Sequence, residues 1–136
     1  MATEILVNDG GAPARIIPMI VKTANVSAGD ALAAAEVGAG LDAKVQPLDT
    51  GTAEKNFLGV ALTDANIGEV CNVITGRGVV LMINCAAVNG GVALMAGDTA
   101  GRLKAYADGT ALFNSDVVAI TLENNSGAGL TKCLTV

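Results

Sequence analysis

Residues 57–75, FLGVALTDANIGEVCNVIT, have a second version sixty positions later at residues 117–135, VVAITLENNSGAGLTKCLT. The two stretches align without a gap, and apolar residues fall on apolar residues, as Val60 does on Ile120. Each version has an alternating apolar run, a polar turn that contains glycine, and a second alternating run. This pattern is typical of a β-hairpin. The sequence therefore predicts two related hairpins.

The remaining sequence consists of short apolar runs separated by turns rich in glycine, proline and aspartate. The strand candidates are residues 5–7, 16–22, 44–48, 79–84 and 103–107. Pro18 restricts the second run to a sheet edge or an extended arm, because proline has no N–H to donate. The alanine-rich residues 30–37 are followed by Gly38 and Gly40, which would end a helix after about two turns, so we favour a strand or irregular structure there. Short strands at this spacing predict a mainly β protein, either a sandwich or a barrel.

An Ala-Gly-Asp triplet occurs twice, at residues 28–30 and at residues 96–98. The first triplet is separated from the hairpin after it by 26 residues (31–56), and the second by 18 residues (99–116). This unequal spacing argues against two near-equivalent halves. A chain of 136 residues is also most simply one domain.

The composition constrains the partners of the protein. Hydrophobic residues make up 51% of the chain and charged residues only 15%, so we expect another copy or another protein to cover part of the apolar surface. The net charge is −5 and the basic residues are scattered, which argues against nucleic acid and anionic membranes as partners. No apolar run approaches the roughly 18 residues of a membrane span. The N-terminus has no basic segment and does not resemble a signal peptide, so we expect a cytoplasmic site of synthesis.

A catalytic or metal site is not indicated. The chain has no histidine, which is the commonest general base and metal ligand. Cys71, Cys85 and Cys133 lack metal-binding spacing, and we interpret them as small buried residues outside any disulfide framework. The aspartates mostly lie beside small residues, where their side chains bond the backbone of turns. We therefore predict no catalytic residues, no metal and no cofactor.

Two weak motif matches do not change this interpretation. Residues 38–43, GAGLDA, fit the dinucleotide-binding pattern GxGxxA, but the residues after them resemble a strand where that motif requires a long helix. Residues 64–69, DANIGE, begin like a calcium-binding loop but lack its later ligands and its closing glutamate. We interpret the first match as chance and the second as a plain hairpin turn.

Residues 79–84 are apolar on both faces of the predicted strand, and such a strand has to be covered on both sides. One face fills the core, so we expect Val80 and Met82 on the other face to lie near a subunit boundary. Arg77 lies in a turn between two glycines. It is either a contact for a phosphate or for a partner's carboxylate, or a solvated turn residue, which is the interpretation we favour.

Residues 1–15 are interpreted as a flexible N-terminal arm, and residues 16–136 as the domain. Ile5, Leu6 and Val7 form an apolar group ahead of the glycine-rich link NDGGAPAR. Such a group can add a strand to the sheet edge of a neighbour, although a frayed end without a role is the alternative. Removal of residues 1–12 is expected to leave the melting curve unchanged.

Five pieces of the sequence, in this order, resemble one protein family. They are GGAPAR (10–15), VSAGD (26–30), FLGVALTD (57–64), VITGRGV (73–79) and AITLE (119–123). They are similar to the small capsid decoration (cement) proteins encoded beside the major capsid protein in tailed bacteriophages. The resemblance extends over about residues 8–136.

The resemblance implies a small β-barrel or β-tulip-like domain without catalytic activity. It also implies a homotrimer that binds the major capsid protein on the capsid exterior, at three-fold positions, and stabilises the head of the virion. The candidate interface residues are Ile5, Leu6, Val7, Arg15, Arg77, Val80 and Met82. Two alternatives stay open: a cytoplasmic β-barrel carrier or ligand-binding module, and an enzyme that uses paired carboxylates.

Overall fold

The computed structural model describes residues 5–8, 12–35, 44–49, 57–106 and 117–136. All regular structure in these ranges is β, which confirms the predicted fold class. The strands are β1 (Arg15–Val21), β2 (Ala31–Ala34), β3 (Lys44–Pro47), β4 (Phe57–Ala61), β5 (Val70–Thr75), β6 (Val80–Cys85), β7 (Ala93–Ala96), β8 (Leu103–Ala105), β9 (Ala119–Thr121) and β10 (Gly129–Thr135). The described residues include no helix long and apolar enough to cross a bilayer.

These strands form two closed barrels of five strands each. In barrel 1 the neighbours follow the order β1-β3-β2-β4-β5, and in barrel 2 they follow the order β6-β8-β7-β9-β10. The first and third strands of each barrel are parallel to each other, and every other neighbouring pair is antiparallel. The predicted barrel is thus confirmed, in the form of two barrels within one chain.

Barrel 2 repeats barrel 1 strand for strand. The order and directions of β1–β5 recur in β6–β10, and the two predicted hairpins are β4–β5 and β9–β10. The register recurs as well, since Ile20 lies opposite Val70 in barrel 1 and Asn84 lies opposite Leu130 in barrel 2. The repeated stretch of sequence is therefore the closing hairpin of each barrel, because β5 pairs with β1 and β10 pairs with β6.

Hydrogen bonds in the turns before the second strands also recur. In barrel 1 they run from Gly29 N–H to the Ala61 carbonyl (2.8 Å) and from Ala28 N–H to Asp64 Oδ1 (2.7 Å). In barrel 2 they run from Gly91 N–H to the Thr121 carbonyl (2.8 Å) and from Gly90 N–H to Asn124 Oδ1 (2.6 Å). The second half of the chain therefore repeats the first in individual hydrogen bonds as well as in the order of its strands.

This duplication corrects the expectation of unequal halves. The residues equivalent to 26–34, VSAGDALAA, are 88–96, VNGGVALMA. The second Ala-Gly-Asp triplet begins at the end of β7 and has a different place in its barrel from the first. The unequal spacing came from pairing two triplets that are not equivalent.

The two barrels share one apolar core. The interior of barrel 1 holds a cluster of its own, which includes Leu32 and Val73. A larger cluster fills barrel 2 and also includes Ala31, Val60 and Ile74, which alternate along their strands with interior residues of barrel 1. These three side chains are fully buried, so this outer face of barrel 1 is covered by barrel 2.

Strand β1 is an edge over most of its length. It pairs with β5 from Arg15 to Ile20, but with β3 only at Ile20 and Val21. Pro18 therefore lies where β1 has a strand neighbour on one side only. This position agrees with the restriction that the missing N–H imposes on proline in sheets.

Candidate functional site

The N-terminal residues lie along β6 of the same chain. Leu6 forms an antiparallel bridge with Leu81, and Met82 N–H donates to the Ile5 carbonyl at 2.8 Å. The Ile5 side chain is only 4% exposed and belongs to the shared core. The structure thus brings the candidates Ile5, Leu6 and Met82 together at one strand edge.

Strand β6 is covered on both faces within the chain. Leu81 and Ile83 are buried in the core that fills barrel 2. On the other face Val80 is also buried, and its carbonyl accepts N–H bonds from Val7 (3.1 Å) and Asn8 (2.9 Å). Val80 is therefore buried without a second subunit, and Met82 is half-buried. A contact of Val80 or Met82 with a partner stays a prediction.

The burial of Ile5 changes what removal of the N-terminus should do. Ala12 N–H also donates to the Gly78 carbonyl at 2.8 Å, so residues on both sides of 9–11 bond to β6 or to the turn that leads into it. Residues 1–4 and 9–11 of the proposed arm lie outside the described residues. A truncation that includes Ile5 removes a side chain from the shared core, and we no longer expect an unchanged melting curve.

Arg15 and Arg77 are exposed at one end of barrel 1. Arg15 lies opposite Thr75 in the β1–β5 pair, and the Thr75 hydroxyl donates to the Arg15 carbonyl at 3.4 Å. Arg77 follows Thr75 by two residues, in the turn that leads into β6. Arg15 and Arg77 therefore lie on neighbouring parts of the surface. Both are close to the start of β6, the strand with which the N-terminal residues form hydrogen bonds.

A buried carboxylate marks the junction of the two barrels. Asp30 accepts bonds from Ser27 N–H (2.9 Å) and, across the junction, from Asn84 Nδ2 (3.2 Å). Its exposed fraction is 7%. Burial raises the pKa of Asp30 above its ordinary value, and the bonds from Ser27 and Asn84 offset part of that rise. Sequence reasoning placed Asp30 in a turn but could not find Asn84 as its partner.

The turn between β7 and β8 closes the same junction. Ala31 N–H donates to the Gly101 carbonyl at 2.9 Å, and Gly101 N–H donates to the Leu48 carbonyl at 2.8 Å. Gly101 has a positive φ of 82° and lies against the Asp30 carboxylate, so a side chain has no room there. These two hydrogen bonds join the backbone of barrel 1 directly to the backbone of barrel 2.

One apolar face of barrel 1 is left bare in the single chain. We call it the barrel 1 face, and it consists of Ile16, Pro18, Ile20 and Val70 on the outer side of β1 and β5, with the exposed Asn72 opposite Pro18. Ile16 is 51% exposed and Val70 is 60% exposed. The sequence predicted an excess of apolar surface but did not locate it, because burial on the outside of a barrel depends on what packs there.

The three cysteines are free and buried. Cys85 Sγ and Cys133 Sγ lie 4.0 Å apart, and the bond between them, together with burial, raises the pKa of the Cys133 thiol. Burial also raises the pKa of the Cys71 thiol. The same bond lowers the pKa of the Cys85 thiol. The protonated, buried thiols of Cys71 and Cys133 are weak nucleophiles and poor metal ligands. This agrees with the interpretation of the cysteines as core residues.

The remaining polar groups stabilise turns. In the calcium-like stretch, Asp64 accepts the N–H of Ala28, and Glu69 Oε1 accepts the N–H of Asn66 at 2.8 Å. Within the described ranges no cluster of three or more potential metal ligands occurs. The GxGxxA match at residues 38–43 lies outside those ranges.

Comparison with known proteins yields a likeness of fold. No protein-family model matches the chain, and no curated protein matches it. A solved structure, the head fiber gp8.5 N base of bacteriophage phi29, superposes with a TM-score of 0.66 at 16% sequence identity. The match covers 91% of this chain and 95% of that chain. The double barrel described above is therefore a fold that this phage head fiber protein also has.

Proposed function

We propose that this protein is a structural component of a bacteriophage head, which binds the capsid exterior as a homotrimer and stabilises it. The observation that carries the proposal is the likeness to a phage head fiber base over nearly the full length of both chains. The resemblance of the sequence to capsid decoration proteins points to the same particle. The major capsid protein and further copies of this chain are the proposed partners.

The surface of the molecule is consistent with this role. The barrel 1 face is apolar and bare, as expected for a surface that another protein covers. A net charge of −5 does not favour contact with packaged DNA, so the outer surface of the head is the better location. An architecture of two closed barrels, whose described part holds no cluster of three or more potential metal ligands, suits a structural role.

Binding to empty heads tests the proposal. Purified protein is mixed at sub-saturating concentrations with empty heads assembled from the capsid protein of the same phage, and the heads are sedimented. We expect the protein to sediment with them at a fixed saturating ratio and to raise the temperature at which they disassemble. Protein that stays in the supernatant at every concentration would contradict the proposal.

A further inference from the structure

The contact between the two barrels has two parts, a face and a turn. The face belongs to barrel 2 and includes Asn84 and Leu130; the turn belongs to barrel 1 and consists of residues 28–30. Asn84 N–H donates to the Gly29 carbonyl at 2.8 Å, and Asn84 Nδ2 donates to Asp30 Oδ1 at 3.2 Å. Leu130 fills the space in which Gly29 would carry a Cβ.

Because the chain is duplicated, each part of this contact has a counterpart elsewhere in the molecule. By register, Ile20 and Val70 of the barrel 1 face correspond to Asn84 and Leu130. By the recurring hydrogen bonds, residues 90–92 of barrel 2 correspond to residues 28–30. A single chain therefore carries one further face and one further turn of the same kinds.

Both counterparts are open in the single chain. Val70 is 60% exposed. Gly91 has a φ of +76°, close to the +91° of Gly29, but apart from its two chain neighbours no atom of the described residues lies within 4 Å of the place where its Cβ would stand. The turn that Leu130 covers in barrel 1 is thus uncovered in barrel 2.

The chemistry of the two open parts is matched. Within the chain, the polar pair Asp30 and Asn84 joins turn to face. The counterparts of this pair are Val92 and Ile20, and both are apolar. Both members of the polar pair are thus replaced by apolar residues in the counterparts. The open face and the open turn are therefore still complementary to each other.

We propose that the barrel 1 face of one copy binds the turn at residues 90–92 of a second copy, in a head-to-tail contact. The inference deepens the proposed function, since it names the surfaces by which the homo-oligomer forms. Each copy offers one face and one turn, so the contact joins two different surfaces and is heterologous. Such contacts close a ring when the rotation that relates neighbouring copies is a whole fraction of a full turn. In a homotrimer every face and every turn would be occupied.

The contact between copies relies on side chains. Ile20 pairs through its backbone with Lys44 of β3, so its main chain is used within barrel 1. Pro18 occupies the position in β1 that is equivalent to Met82 in β6. The N–H of Met82 donates to the N-terminal residues, whereas Pro18 has no N–H to donate. Addition of a further strand to this edge of β1 is therefore disfavoured, whereas packing against a turn is not.

Sedimentation equilibrium of the purified protein, without capsids, tests the contact. We expect the native chain to associate and Val70→Asp to weaken association at least tenfold, because it buries a charge in an apolar contact. Val136→Asp is the matched control, since Val136 is an exposed apolar residue (47%) that follows β10, at the opposite end of that strand from Leu130. A native chain that stays monomeric, or a Val70→Asp variant that associates like the native chain, would overturn the inference.

A pair of substitutions makes the test specific for the two surfaces. Val92→Asp and Ile20→Asn should each weaken association, and the double variant should recover it by at least fivefold, because it recreates between copies the pair that Asp30 and Asn84 form within the chain. Melting curves verify that all variants fold. Additive losses in the double variant would refute the pairing. Sedimentation with empty heads, run separately, would still show whether the proposed function holds.

Discussion

At the scale of single residues, polar side chains set the geometry of the junction between the barrels. Asp30 holds the turn at residues 28–30 through Ser27 and reaches across to Asn84. Arg102 lies on the same junction, with its Nε buried and without a hydrogen-bond partner in the described part of the chain. Arg102 also tends to lower the pKa of Asp30, but burial outweighs it.

Asp30 should make the stability of the fold depend on pH. Burial raises its folded pKa above the ordinary 3.8, so its contribution to stability is complete below about pH 3.8 and is lost as the pH rises through the folded pKa. In Asp30→Asn this loss is absent. We expect the unfolding free energy of the variant, relative to the native chain, to increase between about pH 3 and pH 7 in urea titrations. A difference that is independent of pH would show that Asp30 does not titrate in this range.

Arg77 should contribute to binding of the head and not to the fold. It is exposed, in the turn between β5 and β6. We expect Arg77→Glu to melt like the native chain and to bind empty heads at least tenfold more weakly, through loss of a charged contact. Lys104→Glu is the control, because it makes the same kind of charge reversal at a half-buried residue whose ion pair is with Asp98 (3.2 Å). Equal losses in both variants would mean that net charge is what matters.

At the scale of elements, the pattern of the sequence predicted strands well where alternation is local. The hairpins β4–β5 and β9–β10 were found because the alternation of apolar residues is complete within each of them. Strand β7 was missed, since it is only four residues long and lies between two glycine turns. The position of the N-terminal residues on β6 was also missed, because that pairing joins residues about seventy-five positions apart, Leu6 and Leu81.

The segment from Ile5 to Asn8 should act as part of the fold. Ile5→Ala removes a fully enclosed side chain, and we expect it to cost about 2–5 kcal/mol of unfolding free energy. Val7→Ala should cost far less, because Val7 is half-buried and bonds through its backbone. Thermal melting of both variants is the measurement. An Ile5→Ala variant that melts like the native chain would show that this segment does not lie on β6 in solution.

At the scale of the whole molecule, the duplication could not be recognised from the sequence alone. The equivalent stretches are offset by 64 residues for β1 and β6, by 62 for β2 and β7, by 58 for β3 and β8 and by 60 for the hairpins. No single shift aligns the halves. Only the two hairpins are similar enough for the repeat to be visible in the sequence. The bare face and the open turn could be identified only after the strands of barrel 1 and barrel 2 had been matched in three dimensions.

The two barrels should unfold together. Ala31, Val60 and Ile74 of barrel 1 belong to the core that fills barrel 2, so neither barrel can lose its structure without exposing apolar surface of the other. We expect one calorimetric transition whose calorimetric and van't Hoff enthalpies agree. Ile74→Ala should lower the midpoint of that single transition. Two resolved transitions, of which the substitution shifts only one, would contradict a shared core.

Electron cryomicroscopy of empty heads with and without the protein tests both the binding to the outer surface of the head and the contact between copies. We expect added density on the outer surface only, in which each chain shows two barrels and each barrel 1 face meets the turn at residues 90–92 of the neighbouring copy. Added density on the inner surface, or heads that are identical with and without the protein at saturating concentration, would contradict this expectation.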